Sequence, residues 1–135
     1  MITQKTSSPP PQRQDLEERL LAFAVRIVGA IEGMKNTPTS GHVREQLLRS
    51  GILPYTNHVE GGAESRDDFI QGLKICYKGL RETYRWLKLA QRAELIEEPA
   101  ALDPLLTETD QLIRIFSASL RTARENDRIR AGQQT

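Results

Sequence analysis

The chain has 135 residues, 38% of them hydrophobic and 27% charged, which bounds it to one domain of ordinary size with a single core. Only 5% are aromatic, while Leu, Ile, Ala, Arg and Glu dominate, so propensity argues for helix and against a mainly β fold. The formal net charge of +1 conceals segregation: residues 66–92 carry seven basic and three acidic groups, 93–110 none and six, and 111–135 five and two.

No apolar run approaches the ~18 residues of a membrane span, and MITQKTSSPPPQRQ has no hydrophobic signal core. A cytoplasmic protein with no membrane partner is expected. Cys76 is the lone cysteine, which leaves no internal disulfide and fits burial as a small hydrophobe in a reducing compartment. Residues 1–14, with Ser7, Ser8 and prolines at 9–11, bury too little apolar area to offset ordering, and predict a disordered tail. Asp15 and Glu18 have capping-pair spacing and start the first helix. Its seam is Leu20, Phe23, Ile27, Ala30 and Met34, flanked by Leu16, Leu21, Ala24, Val28 and Ile31, and Thr37-Pro38 ends it near Asn36.

Thr39 or Ser40 caps a second helix with apolar positions Val43, Leu47, Leu48, Ile52, Tyr55 and Val59. It continues with a kink through Pro54, whose ring clashes with the Ser50 carbonyl, or else it ends at Ser50. Gly61-Gly62 supplies the turn after it. Ser65 and Asp68 repeat the capping spacing and open a long third helix to about Leu95. Asp103-Pro104 places a cap and a first-turn proline for a fourth, with Leu105, Leu112, Ile113, Phe116, Leu120 and Ala123 apolar to roughly Asn126. Residues 127–135 read as a flexible tail. Short links between four helices predict an all-α, antiparallel up-down-up-down four-helix bundle over 15–126.

The third helix organises the rest. Phe69, Leu73, Cys76, Leu80, Thr83, Leu87 and Ala90 form an apolar seam at alternating spacings of four and three. Lys74, Lys78, Arg81, Arg85, Lys88 and Arg92 repeat the same spacing displaced by roughly 140° around the helix. One helix is thus apolar on one side and basic on another. Ile75, Trp86 and Leu89 on one flank, with Ile70, Tyr77 and Tyr84 on the other, widen the apolar arc enough for more than one neighbour.

The stretch QLLRSGILPYTNHVEGGAESRDDFIQGLKICYKGLRETYRWLKL at 46–89, with TETDQLIRIFSASLRTAR at 107–124, resembles the four-helix-bundle family of 23S rRNA-intervening-sequence proteins. Gln46–Ser50, Asn57–Gly61, Ser65–Ile70, Glu82–Leu87 and Ser119–Arg124 carry the likeness. Leu53, where the family usually has serine, and Gly72 and Gly79 inside the third helix depart from it. Each glycine costs about 1 kcal/mol in a helix interior, for which close backbone packing is the expected reason. The resemblance implies a closed homo-oligomeric ring, typically a homopentamer, in bacterial members without assigned activity. Distant relatives are accessory proteins of the reverse transcriptases of diversity-generating retroelements, where a basic barrel engages nucleic acid and polymerase. Apolar surplus on two sides of the third helix suits the heterologous contacts a ring needs.

Two readings of the basic stripe stand. It is a solvated face neutralised by carboxylates of the fourth helix or of a neighbouring subunit, or it is a phosphate-binding surface, joined by Arg121 and Arg124 in a second strip with Arg114 and Arg128. Tyr77, Tyr84 and Trp86 stack on unpaired bases or belong to core and interfaces. No base-reading motif is present, so contact is to the backbone. The acidic stretch 93–110 complements a helix dipole or meets a basic partner. Asn57, Glu60 and Glu82 are expected as structural polar residues that fix helix register. His42 and His58 follow Thr39 and Tyr55 by three positions and lack the Glu-x-x-His pattern, so no metal is predicted. Without a phosphate loop or a nucleophile–base set, no enzyme and no cofactor are expected. The sequence therefore predicts a non-enzymatic ring-forming module that contacts RNA or DNA, or alternatively a protein–protein adaptor whose partner is a protein such as a reverse transcriptase.

Overall fold

The computed structural model of the chain describes residues 13–58 and 65–134. These form α1 (Arg13–Glu32), α2 (Pro38–Asn57), α3 (Arg66–Arg92), a short 3₁₀ turn (Pro99–Leu102) and α4 (Asp103–Gln134). Among the described residues there is no strand, only an isolated bridge between Met34 and Ile96. The fold is an all-α bundle of four helices in which α2 packs on α1 and α3, and α4 packs on α3 and more lightly on α1. One core runs through it, with Leu20, Phe23 and Ile27 from α1, Val43 and Leu47 from α2, and Leu112, Phe116 and Leu120 from α4. The α3 seam is buried from Leu73 to Ala90 as its spacing predicts, while Phe69 is half-buried. Of the α1 flank, Ala24 is buried, but Leu21 and Val28 are exposed, as is Val25.

Helix boundaries show where local chemistry differs from the reading above. α1 starts at Arg13, ahead of the expected Asp15, and stops at Glu32. Thr37, not Thr39 or Ser40, caps α2: its Oγ1 accepts the Ser40 N–H at 3.1 Å. The extended conformation that proline imposes on Thr37 is also the one an N-cap needs, and Pro38 then occupies the first turn. Thus Thr37-Pro38 starts a helix rather than stopping one. α2 runs through Pro54 to Asn57, which removes the alternative of an end at Ser50. Ser65 caps α3 as expected, its Oγ accepting the Asp68 N–H at 3.0 Å. α4 continues to Gln134 instead of ending near Asn126, and Asp127 on this extra length receives Arg66 of α3 at 2.5 Å. The described part of the expected C-terminal tail is therefore helical. Most of the expected N-terminal tail, together with Val59, Glu60 and Gly61-Gly62, lies outside the described residues.

The end of α3 has a feature no spacing rule signals. Glu94 has φ 55°, the left-handed conformation that helix ends usually give to glycine. Two reversed hydrogen bonds close the turn, Leu95 N to Ala90 O at 2.9 Å and Glu94 N to Gln91 O at 3.1 Å. Leu95 is thereby buried, and its carbonyl accepts the Lys35 N–H at 2.8 Å, which ties the α1–α2 link to the α3 exit.

Candidate functional site

Helix α3 presents different neighbours on its two flanks, and the difference begins with side-chain size. Toward α2, Gly79 stands so close that a Cβ on it would lie 3.2 Å from the Ser50 carbonyl oxygen. Pro54 has no N–H to give that carbonyl, so the glycine meets the backbone where the helix ladder is broken. Thr83, fully buried, donates to the Gly79 carbonyl at 2.8 Å, and its Oγ1 is 2.9 Å from Ser50 Oγ. Cys76 donates its thiol to the Pro54 carbonyl at 3.3 Å, and burial pushes the thiol pKa up to about 12. It stays protonated at neutral pH and is no nucleophile.

The basic stripe lies elsewhere on the same helix. Lys74, Lys78, Arg81, Arg85 and Arg92 are exposed and Lys88 is half-buried. None of the six pairs with a carboxylate among the described residues. Five carboxylates of α3 and α4 are taken by other arginines: Glu82 by Arg49 at 3.4 Å, Glu108 by Arg19 at 2.8 Å, Asp110 by Arg114 at 3.0 Å and Asp127 by Arg66, with Glu125 held by Arg128. The Arg19 pair is bidentate and its hydrogen bond to Glu108 raises the guanidinium pKa further.

Two grooves open between α3 and α4. One, of ≈ 460 Å³, is lined by Arg81, Tyr84, Arg85, Lys88, Asp110 and Ile113. The other, of ≈ 410 Å³, is lined by Tyr77, Leu120, Arg121, Arg124 and Arg128, with Ser117 and Glu125. Both carboxylates are already held, Asp110 by Arg114 and Glu125 by Arg128. Arg121 and Arg124 are exposed and have no carboxylate partner among the described residues. The structure thus joins Arg81, Arg85 and Lys88 in one groove and Arg121 and Arg124 in the next, while Lys74, Lys78 and Arg92 line neither. Arg81 spans the division: it lines the first groove, its guanidinium carbon lies 5.6 Å from the centroid of Tyr77, and it donates to the Tyr77 hydroxyl at 3.3 Å.

Trp86 is separated from the two tyrosines. Its Nε1 donates to Glu82 at 3.3 Å, and its ring meets His42 of α2 edge-on at 5.8 Å. Glu82 therefore links α3 to Arg49 of α2 at the surface. Asn57 is half-buried and donates within its own helix, to Leu53 O at 3.1 Å, and Glu60 lies outside the described residues. The hydroxyl pair Ser50–Thr83 was hidden in the sequence because Thr83 falls in register with the apolar seam. Its only trace was a hydroxyl in place of an aliphatic side chain. Among the described residues no group of three or more His, Cys, Asp or Glu is placed to hold a metal, and no helix is long and apolar enough to cross a membrane.

No family model and no curated protein matches the chain. A solved structure from Bacteroides thetaiotaomicron, a protein of unknown function from the S23 ribosomal protein family, is 30% identical, with a TM-score of 0.67. The match covers 78% of this chain and 97% of that one.

Proposed function

Since this chain belongs to the S23 ribosomal protein family, we propose that it is a non-enzymatic binding module that contacts RNA or DNA backbone through the α3 stripe, with Arg121 and Arg124 of α4. The observation that carries this reading is the distribution of ion pairs. Each of the five pairs among the described residues uses an arginine outside the stripe, so the stripe's cations, all exposed but the half-buried Lys88, have no carboxylate partner among those residues. Unpaired cations along one helix make a field that attracts phosphate and releases counterions on binding. The bundle is antiparallel, up-down-up-down, and closes into a homo-oligomeric ring, as in the 23S rRNA-intervening-sequence proteins and, more distantly, the accessory proteins of retroelement reverse transcriptases. Exposed Leu21, Val25 and Val28 on α1, with Leu48 and Leu89 on α2 and α3, supply two apolar surfaces for such a contact. A ring multiplies the stripe.

The same apolar surfaces support a second reading, a protein–protein adaptor in which the stripe has no nucleic-acid role. A salt titration of binding to structured RNA and to duplex DNA, with oligomer mass followed in parallel, separates the two. Nucleic-acid binding gives a log–log slope of several units, about −0.9 per duplex phosphate neutralised. Absence of binding at ~50 mM salt with the oligomer intact leaves the adaptor.

A further inference from the structure

Resting on the nucleic-acid reading, we propose that the α3/α4 grooves take a single strand, with its bases on Tyr77 and Tyr84 and its phosphates on the cationic rims. Three observations converge on this. The tyrosines are half-buried groove walls, not buried core, and each lies in a groove with arginines that have no carboxylate partner among the described residues. The Arg81 guanidinium already lies 5.6 Å from the centroid of the Tyr77 ring and donates to its hydroxyl, so the ring is open to a groove-side group and a base can take the place of that contact. Each groove has a cationic wall, Arg81, Arg85 and Lys88 of α3 in the first and Arg121 and Arg124 of α4 in the second.

Geometry then selects the ligand. Tyr77 and Tyr84 are seven residues apart, about two turns or roughly 10 Å along the helix. Bases in a stacked strand rise about 3.4 Å each, so the two rings fall about three bases apart. A paired base keeps its face inside the duplex and shows only its edge in a groove. A duplex would therefore touch the rims and leave the rings unused, whereas an unpaired strand uses both. Ring stacking is tolerant of sequence, which agrees with the absence of a base-reading motif.

The test compares three oligonucleotides of equal length on the unaltered protein: a single strand, its duplex, and a single strand with abasic positions. The single strand binds most tightly, and the abasic strand is weaker by about tenfold or more at an equal salt slope. RNA and DNA versions of the single strand separate a ribose preference from stacking. Equal affinity for intact and abasic strands overturns the stacking proposal while the nucleic-acid reading stands. Failure of all three to bind at ~50 mM salt overturns both. Tyr77→Leu with Tyr84→Leu then reduces single-strand affinity and leaves duplex affinity unchanged, and Tyr77→Phe with Tyr84→Phe retains single-strand binding.

Discussion

On its α2 side helix α3 comes to backbone contact, and on its α4 side it leaves two open, tyrosine-walled grooves. Gly79 against the Ser50 carbonyl and Gly51 of α2 against Ile27 of α1 hold α2 tightly between its neighbours. Toward α4 the surface is built from Tyr77, Tyr84 and long cationic side chains, and the grooves reach ≈ 410 and ≈ 460 Å³. Small residues at one flank fix the helix so that large ones at another can stay half-exposed. The contrast predicts that substitutions on the two sides affect different measurements.

The largest expected effect is on binding. Reversing Lys78, Arg81 and Arg85 together to Glu replaces three exposed cations, and affinity for RNA or DNA falls on the order of a thousandfold at low salt, with a shallower salt slope. Thermal stability changes little, because exposed sites outside ion pairs usually move it by about 0.5 kcal/mol or less, and only Arg81 gives up a contact, the exposed one to Tyr77. Loss of the oligomer mass instead would assign the stripe to assembly.

Gly51→Ala tests the tight side. A Cβ there would stand 2.9 Å from Ile27 Cγ1 and Cγ2, and a β-branched side chain has little freedom to move aside. Overpacking costs about 1–3 kcal/mol, offset by about 1 kcal/mol of helix propensity, so a net loss of up to about 2 kcal/mol is expected. Denaturant unfolding checks it, and nucleic-acid affinity stays put. An unchanged midpoint would mean that the α1–α2 contact yields easily.

Cys76 probes how dry that side is. Its folded pKa of about 12 lies above the ordinary 9.0, so between these values the folded protein holds a proton that the unfolded chain has lost. Stability is fully present below pH 9 and falls as pH rises, approaching about 1.4 kcal/mol per unit, until the folded thiol ionises. Cys76→Ala removes that component of the slope. A slope unchanged by the substitution would show that water reaches the thiol in the native state.

Most of the fold was legible because each helix repeats one pattern many times. The seam from Leu73 to Ala90 needed only spacing, and Ser65 with Asp68 announced the start of α3. Single events were not legible. Thr37-Pro38 was ambiguous, since an extended residue before proline serves a stop and a start equally. Gly79 signalled close packing, yet only the fold reveals that the close neighbour is a carbonyl deprived of its donor by Pro54. The stripe was visible as six cations in register, but its lack of partners was not. That depends on which arginines occupy Glu82, Glu108, Asp110 and Asp127, across pairings such as Arg19–Glu108 that no local pattern encodes.

The smallest expected effect lies at the end of α3, away from both flanks. Glu94 sits at φ 55°, where a side chain with a Cβ costs roughly 1 kcal/mol. Glu94→Gly relieves that strain but frees the unfolded chain, an opposing term of about 0.4–1 kcal/mol. A net gain of at most about 0.6 kcal/mol is expected, in a turn already fixed from both sides by Leu95 N to Ala90 O and Lys35 N to Leu95 O. Asn at the same position should gain less, since it tolerates this conformation only partly. If Glu94→Gly raises the unfolding midpoint and leaves the salt slope of nucleic-acid binding untouched, the end of α3 and its grooves are energetically separate. A changed slope would instead couple them, through the register that this turn imposes on Arg85, Lys88 and Arg92.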